Sequence, residues 1–416
     1  MAGATTRLTF LNLGNPTGLK FVVEHGDARC LFDFGLEHAP GRAAFSMGLE
    51  PRPGRELHDL RAVGAAPALE GVYADQAWDG RTHAFISHMH LDHTGLVRYL
   101  HPDVPLFFPS GMEEVRRACA ATGYLPWRLP PGHHVADRVE VPVGDIRVRF
   151  LEVDHDVPGA SGFLISTPDL VIAATGDQRG HGLHPERNRA FVAAVRGCDV
   201  LVQEGVRLGP PPPPTAPGEP ARVESTEADV AGGLLAAIGD AKGLVIVNLY
   251  GMNRDRVAAV AAACRAAGRR FQMDPVMGPI GGWSDIYTSL EEAAAHPAGF
   301  CLQMGYEQLP GLIDLRPPPG SVYIHSNGTP LGSYDPTWAV MLAWVEIFGL
   351  ELKFIGCSGH ARQEDIVDQV GGIAPGVVLP VHSRNPEALQ VAGVATLLPE
   401  VGRAYSSQDL RSSRNR

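Results

Sequence analysis

Ile86-Ser87-His88-Met89-His90-Leu91-Asp92-His93-Thr94-Gly95 sets His88, His90, Asp92 and His93 within six consecutive positions, directly after an apolar run that begins at Ala84. On a strand end turning into a helix, His88 and His90 can aim at one point. Asp92 and His93, further round the turn, can aim at a second point a few ångströms away. Neutral imidazoles with a carboxylate suit zinc or a similar borderline metal. The bland alternative is a chance surface patch. Histidine fills 17 of 416 positions, so three within six places beside an aspartate is not what chance supplies.

Outward from this motif, the chain is too long for one ordinary core and reads as two or three folding units. A hydrophobic fraction of 44% and a charged fraction of 19% are those of a soluble globular protein. The formal net charge of −11 argues against a tight, non-specific nucleic-acid binder, which is normally basic. A polyanionic substrate would have to be gripped locally, by a charged cleft and metal ions. Cys30, Cys119, Cys198, Cys264, Cys301 and Cys357 are scattered without a CxxC pair, as expected of free thiols in a reducing compartment. Met1–Arg7 shows no basic segment leading into an apolar core, and there is no apolar run of roughly 18 residues. The expectation is a cytoplasmic enzyme with no membrane span.

Short strands are expected at Thr6–Leu11, Lys20–Glu24 and Cys30–Phe34, with Gly14-Asn15-Pro16 as a turn between the first two. Residues 40–71 read as a long decorated connection. Further strands are expected at Ala84–Ser87, Pro105–Phe108, Ile146–Val153, Phe163–Ser166 and Leu170–Ala174, giving a mixed α/β pattern. The proline run Pro210–Pro214 cannot be helix or central strand and reads as a surface linker. Beyond it a second α/β pattern places helices at Glu227–Ile238, Asp255–Ala267 and Pro336–Phe348. Its strands are expected at Leu244–Val247, Val322–His325 and Leu352–Ile355. The tail Ser406–Arg416 is polar and basic and is expected to fray.

The HxHxDH pattern after a strand resembles the hallmark of the metallo-β-lactamase superfamily. That resemblance implies three further ligands. They are matched by His155 after Leu151-Glu152-Val153-Asp154, by Asp177 after Ala174-Thr175-Gly176, and by His382 after Val378-Leu379-Pro380-Val381. Each alone is weak, since a His or Asp at a strand end is more often a cap or a satisfied polar residue. Their order along the chain is what carries weight. By the same resemblance His88, His90 and His155 would hold one metal, Asp92, His93 and His382 a second, and Asp177 would bridge the two. Asp33 would orient a ligand histidine. The implied cofactors are two divalent ions, most simply zinc. They would share a water, lower its pKa and make it the nucleophile.

Three features are similar to the β-CASP nuclease branch, ribonuclease J among them. Asp177 and His382 are far enough apart to hold an inserted domain. Glu204 ends Leu201-Val202-Gln203-Glu204 as in motif A, and Cys357-Ser358-Gly359-His360-Ala361 resembles motif B, with His382 as motif C. The fold implied is an αββα metallo-β-lactamase sandwich with an inserted α/β β-CASP domain. Its parts would be residues 1–205, 206–354 (the insertion) and 355–416. Asp92, Asp177, Glu204 and His360 would be catalytic, with Glu204 and His360 assisting the leaving group. Ser326, Asn327 and Gly328, with His360, would hold a substrate phosphate; the bland reading of that loop is an ordinary turn. Ser87, Ser161 and Cys357 are given no catalytic role. The substrate implied is nucleic acid, single-stranded RNA before DNA.

The chain departs from the pattern at Asp156, where relatives often carry a small hydroxyl residue, and at Val206-Arg207. The competing reading is a metallo-hydrolase of a small molecule, its insertion serving as a lid or dimer surface. A third is a binding protein with a decayed site. Homo-oligomer formation stays open.

Overall fold

The computed structural model of the chain describes residues 4–14, 18–36, 44–45, 48–125, 129–210 and 225–415. The proline run beyond Pro210 lies outside the described residues, as does most of the turn Gly14-Asn15-Pro16. Among the described residues the strands form three sheets. The first contains, in order, Ala404–Ser406, Arg7–Asn12, Lys20–His25, Ala28–Phe32, Thr82–Phe85, Leu106–Pro109 and His133–Val135. The second contains Ala395–Thr396, Val377–Val381, Val200–Glu204, Val171–Ala174, Ser161–Ser166, Ile146–Glu152 and Glu140–Val143.

Alternate residues of one strand enter different cores, as the two-residue period of a strand dictates. Phe32, Val200, Val202, Val377 and Leu379 join a cluster shared by both sheets, which also takes in Phe21, Phe85, Phe150 and Phe163. Their neighbours Leu31, Leu201 and Val378 join a second cluster instead. There they meet Val115 of helix Glu113–Thr122, Phe191 of helix Pro185–Val195, and Ile366 and Val370 of helix Gln363–Ile373. The result is an α/β sandwich: two sheets face to face with helices outside.

The third sheet, Arg270–Gln272, Phe300–Gln303, Val245–Leu249, Val322–Ser326 and Glu351–Phe354, is parallel throughout. Val245, Val247 and Ile324 pack under helices Glu227–Asp240 and Arg254–Ala266. Ile246 and Tyr323 pack on Trp338, Met341 and Val345 of helix Thr337–Ile347. A sheet covered on both faces needs apolar residues at successive positions, which is why Val245-Ile246-Val247 does not alternate. The first of these helices starts where Thr226 Oγ1 accepts from Asp229 N at 3.1 Å and Asp229 Oδ2 accepts from Thr226 N at 2.8 Å, a capping box.

The expected elements lie within a few residues of those observed. Residues 40–71, expected as connection, include a short helix, Glu56–Ala62. The tail is a correction. Ala404–Ser406 pairs antiparallel with Arg7–Thr9, Ser406 caps helix Ser407–Ser412, and Tyr405 and Leu410 are buried. All six cysteines are free and buried. No helix among the described residues is long and apolar enough to cross a membrane.

A buried ionic chain ties the third sheet to the sandwich. Glu227 accepts from Arg179 Nη1 at 2.8 Å and from Arg256 Nε at 2.6 Å, while Arg179 Nε donates to Asp154 at 3.2 Å. Both guanidiniums are fully enclosed. Removing one partner of such a set leaves charge buried without its counter-charge. Glu227→Gln is therefore expected to destabilise the fold by about 3–5 kcal/mol, seen as a lower urea midpoint. A loss below about 1 kcal/mol would mean that Asp154 suffices for Arg179, and Ser326 and Asn327 for Arg256.

Candidate metal centre

The site lies along one edge of the sandwich, where strands of both sheets end. Thr82–Phe85 delivers Ser87, His88 and His90, and the four-residue helix Leu91–Thr94 carries Asp92 and His93. Ile146–Glu152 leads to His155, Val171–Ala174 to Asp177, and Val377–Val381 directly to His382. Glu204 is the last residue of its strand. Asp33 (φ +53°) and His382 (φ +52°) occupy the left-handed region, which is unfavourable for a side chain with a Cβ and is kept where surrounding structure enforces it. Gly35 has a different reason: a Cβ there would lie 1.8 Å from the Asp92 carbonyl, so only glycine lets the Asp92–His93 turn close in.

Seven side chains converge here. Donor atoms of His88, His90, His155 and Asp177 all lie within 4.8 Å of one another, and so do those of Asp92, His93, Asp177 and His382. Asp177 belongs to both groups. Its Oδ2 is 3.2 Å from His382 Nε2, 3.3 Å from His93 Nε2 and 3.7 Å from His88 Nε2. His90 Nδ1 is 3.0 Å from His88 Nε2 and 3.2 Å from His155 Nε2.

The outer ring nitrogens show why these contacts suit a cation. His155 Nδ1 donates to the Gly359 carbonyl at 2.6 Å and His382 Nδ1 to the Gly14 carbonyl at 3.0 Å. His93 Nδ1 donates to Asp33 Oδ2 at 2.8 Å. His88 Nδ1 donates to Ser87 Oγ at 2.9 Å, whose own proton goes to Asp33 at 2.9 Å. With the Nδ1 protons engaged outward, each Nε2 points into the same small volume. Burial, the largest influence, holds the His88 pKa well below the ordinary range and pushes that of His155 down to about 3. For His93, burial also weighs most, but Asp177, Asp33 and Asp92 outweigh it and shift the group upward. Buried His93 Nε2 has no hydrogen-bond partner. Imidazole nitrogens and carboxylates converging in this way suit a divalent metal, and the residues present fit one in each group.

Glu204 and His360 stand beside this centre. Glu204 is buried; its Oε1 accepts from Ala361 N at 3.1 Å and its Oε2 from Val206 N at 3.0 Å. It thus holds the loop that carries His360. His360 Nδ1 lies 3.7 Å from Glu204 Oε2 and 3.9 Å from Asp177 Oδ2. Burial opposes a charge on His360, but Asp177 and Glu204 outweigh it and raise its pKa to about 9. Cations bound nearby would work against that rise.

Ser326, Asn327 and Gly328 are in neither donor group. Ser326 Oγ donates to the Ile355 carbonyl at 2.6 Å and accepts from Arg256 at 2.7 Å, and Asn327 Oδ1 accepts from the same guanidinium at 3.1 Å. Sequence reasoning missed how Ser87 and the Gly14 and Gly359 carbonyls fix the ring orientations. It also missed Tyr250, whose ring centroid is 5.4 Å from that of His90. Carbonyl partners leave no mark on residue type, so only the fold reveals them.

The chain is similar to two curated proteins named ribonuclease J. The match to that of Corynebacterium glutamicum is 26% identical over 194 residues, covering 44% of this chain and 25% of the relative. That to the Sinorhizobium meliloti protein is 28% identical over 198 residues, covering 44% of this chain and 32% of the relative. The chain is related to ribonuclease J. The matched stretch spans only a quarter to a third of these relatives' length. No family profile matches the chain. A crystal structure of a protein of unknown function from Enterococcus faecalis superposes with a TM-score of 0.81 at 25% identity, covering 97% of this chain and 100% of that one.

Asp33 touches Ser87 and His93 but belongs to neither donor group. Asp33→Ala is expected to weaken metal binding by roughly 10–100-fold, as loss of an orienting partner usually does, with the far-ultraviolet circular dichroism unchanged. Dye-competition titration with Zn2+ measures it. Unaltered affinity would show that the rings hold their orientation without the carboxylate.

Proposed function

We propose that the chain is a metal-dependent phosphodiester hydrolase acting on nucleic acid, with RNA as its substrate. The observation that carries this is the pair of four-donor groups sharing Asp177, with His360 and Glu204 alongside. The similarity to ribonuclease J supports it. In this reading residues 206–354 are an inserted β-CASP domain between the two parts of a metallo-β-lactamase domain, residues 1–205 and 355–416. The third, wholly parallel sheet falls inside that insertion.

His88, His90, His155 and Asp177 would hold one ion, and Asp92, His93, His382 and the shared Asp177 the other, zinc being suited to such donors. When bound, two such ions supply an activated water and positive charge opposite the charge that develops on phosphorus oxygens. The protein's own groups do the rest. The Nδ1 edge of His360 faces Asp177 and Glu204, so its opposite edge is the one that can meet a scissile phosphate or give a proton to the departing oxygen. Glu204 keeps the imidazole in place through the Ala361 amide. An alkoxide leaves poorly without a proton, which makes this transfer worth having.

One observation favours a small-molecule substrate instead. The cleft beside His155 has a volume of about 220 Å³ and is lined by Glu152, Asp156 and Asp255 as well as Arg187 and Arg254. Arg254 is already paired with Glu114 at 2.8 Å, and Arg187 faces Glu152 at 3.6 Å. That is a mixed lining, not a basic funnel.

Two experiments test this reading. Elemental analysis of protein purified without chelators is expected to approach two equivalents of transition metal per chain, and a single equivalent would overturn the dinuclear reading. On end-labelled single-stranded RNA, His360→Ala is expected to retain both metals and lose about 10²–10⁴-fold in cleavage rate. The double variant with Glu204→Gln should be little worse than the single, because groups acting as one unit are non-additive. Undiminished RNA cleavage by His360→Ala would remove the leaving-group role. Absence of cleavage by the metal-loaded native protein would favour the small-molecule reading.

A further inference from the structure

Asp156 follows His155 and lines the cleft, yet neither donor group includes it. Its Oδ1 is buried and has no hydrogen-bond partner. That atom lies 3.3 Å from His155 Nε2 and 3.5 Å from His90 Nε2. The first contact is the informative one. His155 has committed its Nδ1 proton to the Gly359 carbonyl, so its Nε2 turns a lone pair, not a proton, towards the carboxylate. A carboxylate oxygen and an imidazole lone pair facing each other, both shielded from water, are mutually repulsive unless positive charge lies between or beside them. An enclosed carboxylate oxygen left without a hydrogen bond is otherwise unfavourable.

Four neighbouring groups could supply that charge. Arg179 attracts Asp156 electrostatically, but its hydrogen bonds go to Asp154 and Glu227 and its Nη2 makes none, so it donates no proton to Asp156. Arg187 and Arg254, on the same cleft wall, face Glu152 and Glu114. His90 Nε2, at 3.5 Å, is beyond ordinary hydrogen-bond length. The backbone also holds the carboxylate in place: a Cβ at Gly359 would come within 2.9 Å of Asp156 Cγ, so glycine there is what makes room for it.

We propose that Asp156 is an additional carboxylate donor to the ion held by His88, His90, His155 and Asp177, reaching it from the cleft side. This rests on the metal reading above. It gives that group two carboxylates with three imidazoles, where it otherwise has one carboxylate. Such a change firms the hold on the cation and favours harder ions such as Mn2+ relative to Zn2+. It also places an acidic oxygen at the cleft mouth, where an anionic substrate and the carboxylate would compete for the same ion.

The test uses the full chain stripped of metal and reloaded with Zn2+, Mn2+ or Co2+. Native protein binding two equivalents supports the metal reading independently of Asp156; failure to bind any would overturn both that reading and this one. With binding established, Asp156→Asn and Asp156→Ala are each expected to weaken one of the two sites at least about tenfold, more for Mn2+ than for Zn2+, leaving the other site unchanged. The visible absorption of the Co2+-loaded protein, which reports donor number, is expected to intensify as a donor is lost. Asp156→Glu should recover part of the affinity. Native affinity and an unshifted Co2+ spectrum in both Asp156→Asn and Asp156→Ala would overturn the proposal. So would native affinity in Asp156→Asn alone, since an amide oxygen could still orient His90 without supplying charge.

Discussion

The constraint on which the rest depends is the crowding of imidazole lone pairs and carboxylates around Asp177. Its Oδ2 faces His88, His93 and His382 at 3.2–3.7 Å in a fully buried setting. Enclosing such a group is costly, because each member loses water on burial. A cation held there would offset that cost. The surrounding fold can be read as the apparatus that keeps the donors converged despite this repulsion. Asp33 and His382 hold left-handed backbone, Gly35 admits the Asp92–His93 turn, and Asp33 fixes two neighbours at once.

The same rigidity reaches the third sheet. Asp154 precedes the donor His155, and its carboxylate accepts from Arg179, two residues beyond Asp177. Arg179 continues through Glu227 to Arg256, which in turn holds Ser326 and Asn327 at a strand end of the third sheet. Cys357 donates to Glu227 at 3.0 Å, and three residues later comes His360. One buried chain of ion pairs therefore joins two donor-bearing loops to the loop that brings His360 to the centre. Buried ion pairs add little net stability but tolerate little rearrangement, which suits a part whose task is position.

What the sequence disclosed, and what it withheld, follows the range of each interaction. His88, His90, Asp92 and His93 were legible because the geometry joining them is local, a strand end and one helical turn. His155, Asp177 and His382 carry no such local mark; only their order in a resemblance set them apart from strand-end caps. Helix Glu227–Asp240 was expected at Glu227–Ile238, and the structure opens it with a capping box of Thr226 and Asp229. The tail was misread although it held the same signal: Ser406 and Asp409 cap helix Ser407–Ser412. Its polar composition masked the two residues, Tyr405 and Leu410, that bury it. Short strands such as His133–Val135 and Arg270–Gln272 went unseen because three residues cannot display a period. Asp156 was seen as a departure, but its place facing His155 Nε2 depends on contacts no spacing encodes.

The net charge of −11 stands against a polyanionic substrate only while charge is counted over the whole chain. Asp33, Asp92, Asp156, Asp177 and Glu204 place five of the formal negative charges in or beside the donor groups. Two divalent cations carry four positive charges, so an occupied centre would sit near neutrality where the formal count sees a strongly acidic spot. Glu227, Glu152 and Glu114 likewise face arginines. What a phosphate meets at short range is the local sum, because at physiological ionic strength charges more than about 8 Å away are largely screened. By that measure the acidic composition constrains how a nucleic acid approaches from a distance, and speeds or slows the encounter, while leaving the grip at the centre to the cations, His360 and the cleft wall.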